Sequence, residues 1–301
     1  MATIGTAKLL RDPDAMSHLE RGLEIALAAN SPEAATILIN LAVGAFFGGD
    51  VRREDELFGE AYLMAERFGD LDTLRFSRGD RIWTRWALGH WDEAGRAADE
   101  FIAECAASPH YLEASAREIR AYLRLARGDR DGALDDYRRS LELARQIKDL
   151  QTLLPGLVQS ARGLVLLSKI DEAQALAREA IELVGERVEN AFIFWMLNPV
   201  ARQLGLRQQV RDVVVRAPEG PWKEVALAGA DGDFSRAADL FAARGAPTFE
   251  AEARLCAAEE LFEIGQRAEG ESELQKALAF YRKVGATSYI QLGEALLAAS
   301  A

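Results

Sequence analysis

Apolar side chains recur along this chain at helical spacing, and the helical runs themselves recur. Ala15, Glu54, Ala94, Ala133 and Ala173 stand 39, 40, 39 and 40 residues apart, and each opens a similar run. Eight residues further on lie Leu23, Tyr62, Ile102, Leu141 and Ile181, all large and apolar. Eleven residues further on lie Ala26, Ala65, Cys105, Ala144 and Val184, all small. A large and a small knob three residues apart form a packing stripe on one helix face. A fixed period of this size marks a stacked-repeat protein, in which no unit buries its stripe alone and stacking makes the core continuous. The pattern therefore predicts an all-α chain of helix pairs.

The turns between paired helices carry a second signature. Four of them superimpose, opening at Gly89, Gly128, Ser168 and Gly232 and closing at Ala94, Ala133, Ala173 and Ala237. Glycine ends a helix in a left-handed conformation at low steric cost, and an Asp or Ser just after it can cap the next helix. Glycine, an aromatic two residues on and alanine three further, best seen at Gly89/Trp91/Ala94 and Gly232/Phe234/Ala237, resembles the turn of tetratricopeptide repeats. That family wants a small residue seven positions before the turn. Ala42, Ala121, Ala161, Ala201 and Ala258 supply it, with Ile82 as the exception.

The resemblance implies a right-handed α–α superhelix with a period of about 39–40 residues and about five regular units over residues 1–185. Beyond 185 the spacing loosens to 37, 27 and 33 residues, and Pro218, Gly220 and Pro221 interrupt the helices. Two stretches are expected: tetratricopeptide-like repeats over residues 1–216, and irregular helical repeats over 217–301 that continue or cap the solenoid. Residues Thr3–Leu10 read as the last turns of an incomplete first unit, because Ala15 already opens a second helix; Met1 then reads as an internal or engineered start.

Two groups of side chains on the first helices are candidates for binding. Arginines recur at the same offsets in adjacent units: Arg78, Arg81 and Arg85, then Arg117, Arg120 and Arg124. Each triplet lies on one face of its helix, and stacking puts the triplets side by side. Six guanidiniums cannot all be buried unpaired. Either they pair with acids such as Asp80, Glu113 and Glu118 or with a neighbouring second helix, or they form a stripe that binds a carboxylate, a phosphate or an acidic partner. In the tetratricopeptide register a separate column lines the concave groove, and Phe76, Trp83, Trp86, Tyr122, Arg162, Trp195, Asn198 and Arg202 fall on or beside it. An aromatic groove with a few arginines suits a small molecule or an amphipathic peptide helix, the alternative being ordinary helix–helix core. The helices Ala34–Gly48, Leu153–Leu167 and Ala191–Ala201 are apolar nearly all round, as expected of segments buried on every side or exposing an apolar inner wall.

Composition narrows the function. The 301 residues carry a net charge of −12, which repels phosphate backbones and argues against direct nucleic-acid binding. Acids cluster on the second helices (Glu54 to Glu56, Asp99 and Glu100, Asp135 and Asp136), which reads as a solvated convex face. No run of eighteen apolar residues and no basic start before an apolar core is present, so neither a membrane span nor secretion is expected, and a cytoplasmic location is. Cys105 and Cys256 lack metal-binding spacing and read as buried free thiols. No phosphate-binding loop, dinucleotide fingerprint or His-Glu-x-x-His motif occurs. The histidines (His18, His90 and His110) fall at turns or on an exposed helix face. Enzyme activity, cofactor and metal are therefore not expected.

The C-terminal stretch is more specific. Gly232-Asp-Phe through Ala237-Ala238, then Gly245-Ala-Pro247 and Glu250 to Leu255, lead to Ala277-Leu-Ala-Phe-Tyr-Arg282 and a close at Glu294 to Ala298. This resembles the C-terminal end of large bacterial regulatory ATPases of the STAND type, cyclase-linked or transcription-activating, best over residues 230–299. The resemblance implies a non-catalytic sensing arm, covalently linked upstream to an NTPase with a cyclase or DNA-binding domain. Such an arm recognises a protein, a peptide or a small molecule in its groove. The rival expectation is a protein–protein scaffold that self-associates, as a homodimer, through its incomplete first unit.

Overall fold

The computed structural model describes residues 14–185 and 190–299. Among these residues there are seventeen helices and no strand. The regular part holds α1 (Ala15–Ala28), α2 (Glu33–Phe47), α3 (Val51–Phe68), α4 (Leu71–Ala87), α5 (Trp91–Ala107), α6 (Glu113–Ala126), α7 (Arg130–Ile147), α8 (Leu150–Leu166) and α9 (Ile170–Val184). Each packs on its sequence neighbour. First helices also touch across the intervening second helix, α4 on α6 and α6 on α8, which gives the α–α superhelix of tetratricopeptide-like pairs. Residues Thr3–Leu10 lie outside the described residues.

The turn chemistry explains the punctuation. Gly89, Gly128, Ser168 and Gly232 all have positive φ, so the left-handed turn is kept even where serine replaces glycine. Asp50, Asp70, Asp129, Asp149 and Asp233 each accept a backbone N–H at the start of the next helix. The small residues seven positions before each turn are fully buried where helices cross closely: Ala42, Ala121, Ala161 and Ala258 each have no exposed surface. Gly163 serves the same end, since a Cβ there would sit inside the Tyr137 ring.

The second part departs from the regular pattern. The apolar run Ala191–Ala201, expected as one helix, is two short ones, α10 (Phe192–Trp195) and α11 (Asn198–Ala201). Pro199 has no N–H to offer Trp195, so the helical ladder breaks there. Next come α12 (Arg207–Val215) and, after the Pro218–Gly220 turn, α13 (Pro221–Ala230), α14 (Phe234–Ala243), α15 (Pro247–Glu263), α16 (Arg267–Val284) and α17 (Thr287–Ala299). These helices fold back over the first helices of the regular units: α15 packs on α4, α17 on α6, and α11 on both α8 and α15. One continuous apolar core therefore runs from Val51 to Tyr289.

Candidate functional site

The concave column of the regular units faces the chain's own C-terminal helices. Trp86 on α4 is fully buried, and its ring meets Phe249 of α15 edge-on at 5.0 Å and Tyr122 of α6 at 4.9 Å. Trp83, half-buried, contacts Phe46, Phe192 and Phe249. Trp222 donates its indole N–H to the Phe46 carbonyl and packs on Phe192 at 4.6 Å. Trp91 donates to Thr248 Oγ1 at 2.9 Å, and that hydroxyl donates to the Trp86 carbonyl. Ser288 of α17 donates to the Leu125 carbonyl at 2.8 Å. An α-helix thus lies in the concave groove, and it is α15.

One charged pair sits in this aromatic contact. Arg162 of α8 and Glu252 of α15 form an ion pair in which the two side chains are 5% and 3% exposed. Tyr122 donates its hydroxyl to the same Glu252 oxygen at 2.7 Å, and the guanidinium lies over the Tyr122 ring. Burial lowers the Arg162 pKa, but the Glu252 carboxylate, with Tyr289 and Tyr122, outweighs this and holds it well above the ordinary arginine value. Arg162 Nη1 and Glu252 Oε2 have no hydrogen-bond partner. The pair is desolvated and incompletely satisfied, and an ion pair of this kind adds little stability over a well-packed apolar contact.

The remaining groove candidates are dispersed. Trp195 is fully buried against Phe241 at 4.7 Å, and Asn198 donates to the Ala226 carbonyl at 2.8 Å, so both pack on α13 and α14. Arg202 pairs with Glu263 at the far end of α15. Phe76 stands apart, between Phe58 and Tyr111.

The arginine stripe runs along the face that first helices turn to second helices. Arg117, Arg120 and Arg124 converge on Asp136 of α7, which is 2% exposed and accepts four N–H bonds of 2.7 to 3.0 Å. Arg117 also pairs with Glu113, and Arg120 with Asp99. In the preceding unit Arg78 pairs with Glu104 and Arg81 with Asp55, while Arg85 has no ion-pair partner. The second-helix acids are therefore not uniformly a solvated face. Asp136 is buried because this side of α7 receives the α6 stripe, and Glu54 of α3 is buried with no arginine partner. Burial, with Asp80 and Asp55 nearby, raises the Glu54 pKa well above the carboxylate range. Burial alone pushes Asp80 up to about 7.

Sequence reasoning missed Glu252, Thr248 and Asp136. Asp136 was accessible by comparing columns across the 39-residue period; Glu252 was not, since its partners lie 90 and 130 residues away. Among the described residues no cluster of three or more His, Cys, Asp or Glu is arranged to hold a metal ion. None of their helices is long and apolar enough to cross a membrane. Both cysteines are free and buried.

The architecture defines a tetratricopeptide-like helical-repeat protein. The solved structure of a Rap protein complexed with competence and sporulation factor superposes with a TM-score of 0.62 over 91% of this chain and 88% of that one, at 11% sequence identity. At that identity the likeness is one of fold. No protein-family profile matches the chain, and no curated protein matches it in sequence.

Proposed function

We propose that the chain is a non-catalytic regulatory arm that senses a peptide or small molecule through the contact between its two stretches, residues 1–216 and 217–301. In this reading the regular repeats are a helix-binding groove, α15 is its built-in occupant, and ligand binding shifts the balance between the clasped form and a released one. The observation that carries the reading is the buried Arg162–Glu252 pair with its two unsatisfied atoms at the centre of the contact. Such a pair disfavours the clasp relative to an all-apolar contact and gives a competing carboxylate a place to go. The Rap protein, a similar fold solved with a bound factor, supports a groove that accepts a peptide. By resemblance of residues 230–299, the arm belongs to a larger bacterial signalling ATPase of the cytoplasm and biases its NTPase.

The test is a thermal-shift screen of peptides, sugars, nucleotides and organic acids against the chain and its Glu252→Gln variant. The reading expects a saturable hit that binds the variant more tightly, because the clasp is weakened. A hit indifferent to Glu252, or silence in both proteins, overturns it. The scaffold reading rests on a different observation: Ile25 and Leu27 of α1 are 63% and 50% exposed. It expects a concentration-dependent dimer by light scattering that Ile25→Glu abolishes.

A further inference from the structure

The two arginine triplets share offsets but not surroundings. Shifting by 39 residues carries Arg78, Arg81 and Arg85 onto Arg117, Arg120 and Arg124, and carries Ala97 onto Asp136. In the later unit the Asp136 carboxylate fills the space between three guanidiniums and takes four hydrogen bonds. In the earlier unit alanine stands there. A cavity of about 220 Å³ opens between α3, α4 and α5, lined by the three arginines, Ala97, Tyr62 and Phe101. Arg78 and Arg81 keep one carboxylate each, Glu104 and Asp55, on the flanks. Arg85 makes no ion pair. Of the four N–H groups that hold Asp136 in one unit, those matching Arg117 Nη1 and Arg120 Nε and Nη2 are taken in the other by Glu104 and Asp55, and the one matching Arg124 Nη1 is unspent.

We propose that this cavity is a carboxylate-binding site, in which a ligand's carboxylate takes the place that Asp136 occupies one repeat later. It lies on the outer side of the first helices, away from the α15 contact, and does not depend on the groove reading. Guanidiniums favour this ligand because their planar forks meet carboxylate oxygens in pairs, as the two bonds from Arg120 to Asp136 illustrate. Glu100, exposed at the cavity wall, sets the limit on affinity by opposing a second negative charge. The carboxylate belongs either to a small organic acid or to an acidic side chain of a peptide; the chemistry recognised is the same.

The experiment is isothermal titration calorimetry on the full chain at constant ionic strength, with succinate and with acetyl-Glu-Glu-Glu-amide as probes and chloride as the balancing anion. The expected result is a saturable one-site isotherm for at least one probe. Tighter binding of succinate assigns the site to small acids, and tighter binding of the peptide assigns it to side chains. Ala97→Asp supplies the missing carboxylate from within and should weaken binding at least tenfold while keeping the melting temperature or raising it. Arg85→Gln should weaken binding by a similar factor, and Arg124→Gln should leave it unchanged. Should Ala97→Asp fold poorly, the contrast between Arg85→Gln and Arg124→Gln decides. The proposal is overturned if neither probe gives a saturable isotherm, or if binding survives Arg85→Gln intact.

Discussion

Glu118 offers a quantitative test of how the stacked helices treat charge. It lies on α6, is 4% exposed, and has one oxygen 3.0 Å from Ser140 Oγ. Ser140 Oγ is also 2.9 Å from the Ala114 carbonyl. A hydroxyl has one hydrogen, and the carbonyl can only accept. The arrangement closes if Ser140 donates to Ala114 and a protonated Glu118 donates to Ser140. Burial raises the Glu118 pKa from 4.5 to about 8, so the group is a neutral acid at neutral pH.

The sign follows by linkage. Between 4.5 and about 8 the folded chain holds a proton that the unfolded chain has released, so stability falls as pH rises. This contribution is complete below the unfolded pKa and lost once pH passes the folded one. Each pH unit in the window costs up to about 1.4 kcal/mol, which sums to about 4 kcal/mol across it. Glu118→Gln is neutral at every pH and its amide can still donate to Ser140. Urea unfolding followed by circular dichroism should find variant and parent within about 1 kcal/mol near pH 5, and the variant several kcal/mol more stable near pH 8.5. Comparing the two proteins cancels the parallel contribution of Asp80 and of Glu259, which burial also raises to about 7. A difference that stays constant across the range would refute the reasoning, since Glu118 would then be ionised in the fold.

Three further outcomes are expected. Arg162→Met strands the buried Glu252 carboxylate and should cost about 3–5 kcal/mol, while Arg162→Met with Glu252→Met should recover most of it in a double-mutant cycle; a single-variant loss under about 1 kcal/mol would show that water reaches the pair. Trp86→Ala opens a cavity between Phe249 and Tyr122 and should lower stability by about 3–5 kcal/mol in urea titrations, whereas an unchanged midpoint would place Trp86 on an open surface. Gly163→Ala drives a methyl into the Tyr137 ring and should cost about 1–3 kcal/mol, so a neutral result would mean that α7 and α8 separate freely.

What could be seen in the sequence was what is local or periodic. The left-handed turns at Gly89, Gly128 and Ser168 follow from neighbours within a few residues, and the buried alanines from a column repeated every 39 or 40. Trp83, Trp86 and Tyr122 were legible as an apolar face, but not what covers it. Trp83, Trp86 and Tyr122 present the same spacing whether they line an empty groove or pack on Phe249 and Glu252, which are more than a hundred residues away in sequence. Helical periodicity reports which face is apolar and cannot report what covers it. The break at Pro199 was available from the chemistry of proline and was outweighed by the apolar run around it.

The arginines show what a repeat protein gains from near-identity between units. Stacking gives each first helix the same set of offsets, so a triplet that pairs well once is copied at little structural cost. Where the copied unit keeps its carboxylate, as at Asp136, four hydrogen bonds lock two helices together. Where the carboxylate is alanine, as at Ala97, Arg78 and Arg81 turn to Glu104 and Asp55 on the flanks, and Arg85 lines the cavity without an ion pair. The scaffold that positions a structural network thereby also positions a candidate carboxylate site, with Arg85 as its unpaired guanidinium. In a chain that fills its own concave groove, a departure from the repeat rule on the outer side is where an external ligand would find a guanidinium, Arg85, still free of an ion pair.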